Sequence, residues 1–181
     1  MNMPSKRNAL IKRLAFPFAL LCALCLFVSS AEAKSYARLS KAARKNVEAA
    51  VLLFAKDIQT RKTGPDKVYE LLTAFLQMNP RIMGATYASA PTAPDAAQWK
   101  GAPYVFKQAD GQLLRKKLGS CIADYEGEAW FSRPMLTGKP QWSRPYFDAL
   151  GAQIDMITYS VPIFGADGRA MGVVTGDVAL Q

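Results

Sequence analysis

Histidine is absent from this sequence, which removes the commonest general base and the commonest metal ligand. A Ser-His-Asp triad and a Cys-His pair are therefore excluded. Cysteine is scarce: Cys22, Cys25 and Cys121 are the only three, too few without histidine for a zinc site of ordinary composition. No GxGxxG and no P-loop is present; Gly165 and Gly168 read as a hairpin turn, and Gly172 and Gly176 as strand residues. The chain also lacks internal repeats, heptads and low-complexity segments, and its 50% apolar content argues against wholesale disorder. Acidic groups are fewer than basic ones, 14 against 23, for a net charge of +9. Asp124, Glu126, Glu128, Asp148 and Asp177 leave a carboxylate-only hydrolase formally open, but their spacing singles out no acid/base pair. The expectation is a non-enzyme that uses neither metal nor cofactor.

The N-terminus carries the clearest positive signal. Lys6, Arg7, Lys12 and Arg13 precede an apolar run from Leu14 to Val28, and Ala31-Glu32-Ala33 supplies an A-x-A cleavage pattern. Residues 1–33 thus read as a secretory signal peptide. The run is shorter than the roughly 20 residues that span a bilayer, and it contains Pro17. Periplasmic or secreted placement is expected, with an uncleaved anchor helix as the alternative. The leader also holds Glu32, so its removal lowers the charge by three and leaves Cys121 as the sole thiol. A lone cysteine forms no internal disulfide, so stability must come from the core. Export also argues against a nucleic-acid partner, and the modest positive charge reads as lysines on a solvated surface.

The remaining chain has the length of one domain. Residues 34–64 predict a long helix, with Val47, Val51, Phe54 and Ile58 on one apolar face. Pro65 then suits the first turn of a second helix that buries Val68, Leu71, Leu72, Phe75 and Leu76. Pro80 ends it at Asn79. Residues 65–181 form the main module. Arg81 to Ala88 and Tyr104 to Lys107 are strand candidates, while the basic run from Leu113 to Gly119 reads as a solvated edge. Asp124 to Phe131 predicts a short helix. Ile157, Tyr159, Val161 and Ile163 alternate with Thr158, Ser160 and Pro162, and Gly165 to Gly168 turns the chain into a return strand from Met171 to Leu180. With Trp142 to Arg144 as a short strand, the pattern is an α+β module of roughly five antiparallel strands, helices on one side.

The most concentrated chemistry lies between Trp130 and Phe147, where large rings are interleaved with Arg133, Arg144 and three prolines. The order Glu128-x-Trp130-Phe131, Trp142-Ser143-Arg144-Pro145-Tyr146-Phe147-Asp148, Thr158-Tyr159-Ser160-Val161-Pro162-Ile163 and Gly172-Val173-Val174-Thr175-Gly176-Asp177 resembles the Cache family. Asn79-Pro80 and Pro103-Tyr104 extend the resemblance upstream. Cache modules are PAS-like extracytoplasmic sensors. The resemblance implies a long N-terminal helix ahead of a PAS-like sheet, a small-molecule ligand, and a membrane sensor or transporter that reads occupancy. It also implies that the long helix is a candidate homodimer face.

In the amino-acid-binding version of that family, the motif is Arg-x-Trp-Tyr, then Tyr-x-Asp, then a last Asp on the final strand. Trp130, Tyr146, Asp148 and Asp177 match it. Glu128 stands where the carboxylate-gripping Arg belongs, and Phe131 replaces the Tyr. The half that holds an ammonium is retained and the half that holds a carboxylate is lost, which favours an amine or other cationic ligand. Tyr125, Trp142, Arg144, Thr158 and Tyr159 complete the set of candidate ligand-binding residues. Bland roles stand beside these: Asp148 capping a turn before Gly151, Asp177 paired with a surface arginine, Trp130 and Trp142 as core. Two other readings remain open: an interaction module whose pocket is filled by side chains, and a binder of organic or amino acids through Arg133 or Arg144.

Overall fold

The computed structural model describes residues 39–61, 64–93, 101–120 and 123–180. The leader, Trp99 and Cys121 lie outside the described residues. Among the described residues, no helix is long and apolar enough to cross a membrane.

Helix α1 (Lys41–Arg61) starts at Ser40, whose hydroxyl accepts the Ala43 N–H at 3.1 Å in an N-cap geometry. Val47, Val51, Phe54 and Ile58 are buried along one stripe, as their spacing predicts. Helix α2 (Pro65–Met78) opens with proline in its first turn and closes at Asn79, whose side chain donates to the Phe75 carbonyl at 2.7 Å. Phe54 and Phe75 stack at 4.3 Å between ring centroids and tie the two helices together.

Seven strands follow: β1 (Gly84–Ser89), β2 (Ala102–Lys107), β3 (Leu113–Leu118), β4 (Gln141–Trp142), β5 (Tyr146–Phe147), β6 (Asp155–Phe164) and β7 (Ala170–Ala179). They form one antiparallel sheet in the order β3-β2-β1-β7-β6-β4, with β5 pairing the N-terminal end of β6. The expected count of five is exceeded because the basic run is a full edge strand, β3, and because the aromatic loop adds the two-residue β5. Between β3 and β4 come two short helices, α3 (Ala123–Glu126) and α4 (Ala129–Thr137). The single short helix expected there is broken at Gly127-Glu128, and α4 runs on past Phe131 to a left-handed cap at Gly138, φ 63°.

The period-two alternation divides the buried residues between two cores. Ala85, Tyr87, Val105, Ile157, Tyr159, Val161, Val174 and Val178 face α1 and α2. Ala88, Ala102, Tyr104 and Val173 face the other way, against Leu118, Tyr125, Trp130 and Phe131. Helices therefore flank both faces of the sheet rather than one. The long pair covers one side, and α3 with α4 and the aromatic loop covers the other. Glycine makes the first packing possible at Gly176, where a Cβ would lie 2.5 Å from Val51 of α1. Lys107 pins the entry to β1: its ammonium donates to the carbonyls of Asn79, Pro80 and Ile82 at 3.0, 3.3 and 2.8 Å.

Candidate ligand-binding site

The second face carries the polar groups. On β6, Thr158 points away from α1; on β7, Asp177 does the same, and the two are register partners. Thr158 donates to Asp177 Oδ1 at 2.9 Å, and the Tyr146 hydroxyl bonds Thr158 Oγ1 at 2.8 Å. The Ser143 hydroxyl accepts the Thr158 N–H, so the aromatic loop is fastened to β6 beside this chain of hydroxyls. Across the sheet, Tyr104 of β2 places its hydroxyl against the same carboxylate. A Cβ on Gly84 would overlap the Tyr104 hydroxyl and lie 2.8 Å from Asp177 Oδ2. Glycine at 84 is thus what lets the phenol and the carboxylate share the space. The Tyr104 hydroxyl is close enough to favour the Asp177 anion, yet it is buried without a hydrogen bond of regular geometry.

Asp177 is 4% exposed, and among the described residues no salt bridge reaches it or Asp148. Burial, and then the Asp148 charge, push its carboxyl up to about 7, against the pull of the Thr158, Tyr104 and Thr175 hydroxyls. Burial and the same carboxylates hold the Tyr104 phenol well above its ordinary range, and burial followed by Asp177 raises Tyr146. The region is electronegative, largely buried and lined with hydroxyls.

Asp148 combines a turn role with its place in the site. Its two carboxylate oxygens accept the Gly151 N–H at 3.0 Å and the Ala152 N–H at 2.7 Å, which folds the loop after β5 around it. Gln153, at φ 59°, completes that turn. Lys116, the register partner of Tyr104 on β3, donates to the Gly151 carbonyl at 3.1 Å and ties the loop to the sheet edge. In front of this loop is a cavity of about 50 Å³ lined by Leu118, Glu128, Trp130, Tyr146, Phe147, Asp148, Ala149 and Leu150. Tyr146 joins the two layers, with its ring on the cavity and its hydroxyl on the Thr158–Asp177 pair.

Glu128, Trp130, Tyr146 and Asp148 therefore share one cavity, and Thr158 and Asp177 lie directly behind it. Tyr125 lies beneath, its hydroxyl donating to the Ser89 carbonyl at 2.9 Å and its ring 6.0 Å from Trp130. Trp142 and Tyr159 are not in this group. They pack together at 5.2 Å on the opposite face, where the Trp142 indole donates to Glu48 of α1 at 2.7 Å and Arg44 covers its ring. Burial, with Glu48 second, raises the Tyr159 phenol there. Arg144 and Arg133 are exposed, and neither lines the cavity. Sequence reasoning left out Tyr104 and Gly84. A tyrosine in a strand reads as core, and only the fold brings it to Asp177.

A larger cavity of about 200 Å³ lies on the other side of the molecule, bounded by Asn46, Val47, Ala50, Asn79, Pro80, Arg81 and Ile82. It contains none of these acidic and aromatic groups. The smaller cavity brings charge and rings together in front of the Tyr146–Thr158–Asp177 chain, which is the pattern of a small-molecule site.

Residues 68–181 match the family model described as methyl-accepting chemotaxis protein-like, first PDC sensor domain. No curated protein matches the chain. Among solved structures, the extracellular domain of a protein assigned as a histidine kinase, soHK1S-Z6, is similar at 26% identity and a TM-score of 0.66. That match covers 88% of this chain and 63% of the other. Methyl-accepting chemotaxis protein X is similar in fold at 19% identity and a TM-score of 0.59, over 88% of this chain and 64% of its own. The ligand-binding domain of the Campylobacter jejuni chemoreceptor Tlp3, solved with L-norvaline, matches at 15% identity and 0.54, over 85% and 55%. In each case this chain spans less than two thirds of the matched chain.

Proposed function

Since the chain belongs to the family of methyl-accepting chemotaxis protein-like first PDC sensor domains, the Cache-type fold that its motifs resemble, we propose that it binds a small cationic, amine-bearing solute. It does so outside the cytoplasm and reports occupancy to a membrane-bound partner. One observation carries the ligand charge: Asp177 is buried without a basic partner among the described residues, beside Asp148 and the Tyr104 hydroxyl. A buried carboxylate without a counter-charge is costly. An ammonium offers the missing charge and donors together, and the Tyr146 and Trp130 rings would add cation–π attraction of about 0.5–2 kcal/mol. The amino acids bound by the Tlp3 domain also carry an ammonium group, which supports this half of the site. The position facing a ligand carboxylate would be Glu128, which repels one.

A thermal-shift screen of residues 34–181 against amines, amino acids and organic acids tests the reading. A binding amine at 100 times its Kd should add about 2.7 kcal/mol of stability. Asp177→Asn should abolish that shift while the protein stays folded. A response to organic acids alone would overturn the charge assignment and transfer attention to Arg133, Arg144 and Lys116. No response to any solute would favour an interaction module without a ligand.

A further inference from the structure

We infer that the cavity of about 200 Å³ between α1 and the α2–β1 turn is a separate binding site, for a small branched aliphatic carboxylate, with Arg81 holding the acid group. This site is independent of the proposed amine site and lies on the α1 side of the sheet. A proline turn shapes it. The Ile82 N–H donates to the Asn79 carbonyl at 3.0 Å, so Asn79-Pro80-Arg81-Ile82 is a β-turn with proline at its first corner. Pro80 fixes the backbone there. Arg81, at the second corner, is exposed, while Ile82 is only 1% exposed and packs in the core that α1 covers.

The charge of the ligand follows from which polar groups are already spent. Around the turn the acceptors are taken: the Lys107 ammonium holds the carbonyls of Asn79, Pro80 and Ile82. The Asn79 side-chain amide is committed to the Phe75 carbonyl. The donors at the rim are not committed. Neither the Arg81 guanidinium nor the Asn46 amide has a hydrogen bond or ion pair to a described residue, and both residues are exposed. No acidic residue lines the cavity. A cation would meet basic groups and few acceptors, whereas a carboxylate meets a planar guanidinium fork that can bind it with two hydrogen bonds. Beyond the rim the walls are Val47, Ala50, Pro80 and Ile82, which suit hydrocarbon rather than a second polar group. Size agrees, because an apolar cavity of about 150 Å³ is enough to take up benzene.

An amide NMR titration of the protein with isovalerate tests the site, with acetate and isovaleramide as comparisons. Saturable shifts are expected at the amides of Asn46, Val47, Ala50, Arg81 and Ile82. Acetate, which lacks the branched tail, and isovaleramide, which lacks the charge, should each bind at least about tenfold more weakly. Arg81→Gln should weaken isovalerate by at least about tenfold and leave the melting temperature unchanged, since the exposed side chain holds no described residue. Ala50→Leu puts a larger side chain into the hollow with Arg81 in place and should abolish binding. Binding that survives Ala50→Leu, or equal affinity for isovalerate and isovaleramide, would overturn the site. An absence of shifts at these amides would overturn it too and leave the amine reading intact. Shifts confined to residues 148–152 would put the acid in the smaller cavity and overturn this inference and, where amines cause none, the amine reading with it.

Discussion

Thr158, Thr175 and Tyr104 all present hydroxyls to Asp177, and none supplies a positive charge. The folded pKa of about 7 is above the ordinary value of 3.8, so the proton is held more tightly in the folded chain than in the unfolded one. The resulting stabilisation is full below about pH 4, declines as the pH rises, and is lost once the pH passes about 7. Asp177→Asn removes this titration and keeps the shape. In urea denaturation, the variant should match the wild type near pH 4 and exceed it by up to about 4 kcal/mol at pH 8. Parallel pH curves for the two proteins would mean that folding leaves the Asp177 carboxyl at its ordinary value. At this scale the sequence was partly legible. A carboxylate within Gly172-Val173-Val174-Thr175-Gly176-Asp177 stands out as an anomaly on a buried strand, and Asp148 before Gly151 reads as a turn cap, a role it has. Tyr104 gave no such signal. Its neighbours Ala102 and Val105 are apolar, and its partnership with Asp177 depends on the pairing of β1 with both β2 and β7.

Elements with strong periodicity were readable, and those held by tertiary contacts were not. Helix α1 has a single apolar stripe, α2 is bracketed by Pro65 and Pro80, and the β6–β7 hairpin alternates cleanly about Gly168, φ 77°. By contrast, β3 reads as a charged run because the strand is at the sheet edge, where Arg115, Lys116 and Lys117 are all exposed. The two-residue β4 and β5 exist because β6 offers them partners. Gly176 illustrates packing that the pattern alone does not announce. It belongs to the α1 face of β7, whereas Asp177 belongs to the opposite, cavity face. Gly176→Ala would bring a Cβ to 2.5 Å from Val51 and 3.4 Å from Ile82, and overpacking of this kind costs about 1–3 kcal/mol. The expected outcome is a lowered urea midpoint with ligand affinity unchanged. A loss of affinity with stability preserved would contradict the separation of the two faces.

For the molecule as a whole, the sheet is the partition that both cores share. Thr158 and Asp177 face the cavity side, while their neighbours Tyr159 and Val178 pack in the core that α1 and α2 cover. The contact between α1 and this part of the sheet is reinforced at Trp142, which pairs with Tyr159 across β4 and β6 and donates to Glu48. A ligand drawn against Asp177, Thr158 and Tyr146, as proposed, would therefore act on the strands against which α1 rests. Rigidifying one face should lower local opening on the other, since the same backbone hydrogen bonds serve both. Amide hydrogen exchange with and without a saturating amine provides the measurement. Added protection is expected in the loop at 148–152, in β6 and β7, and in α1 around Val47 to Phe54. The same experiment on Trp142→Phe, which loses the indole donor to Glu48, should keep the strand protection and reduce the gain in α1. Protection confined to the loop in the wild type would show that occupancy stops at the pocket and that α1 is only a scaffold.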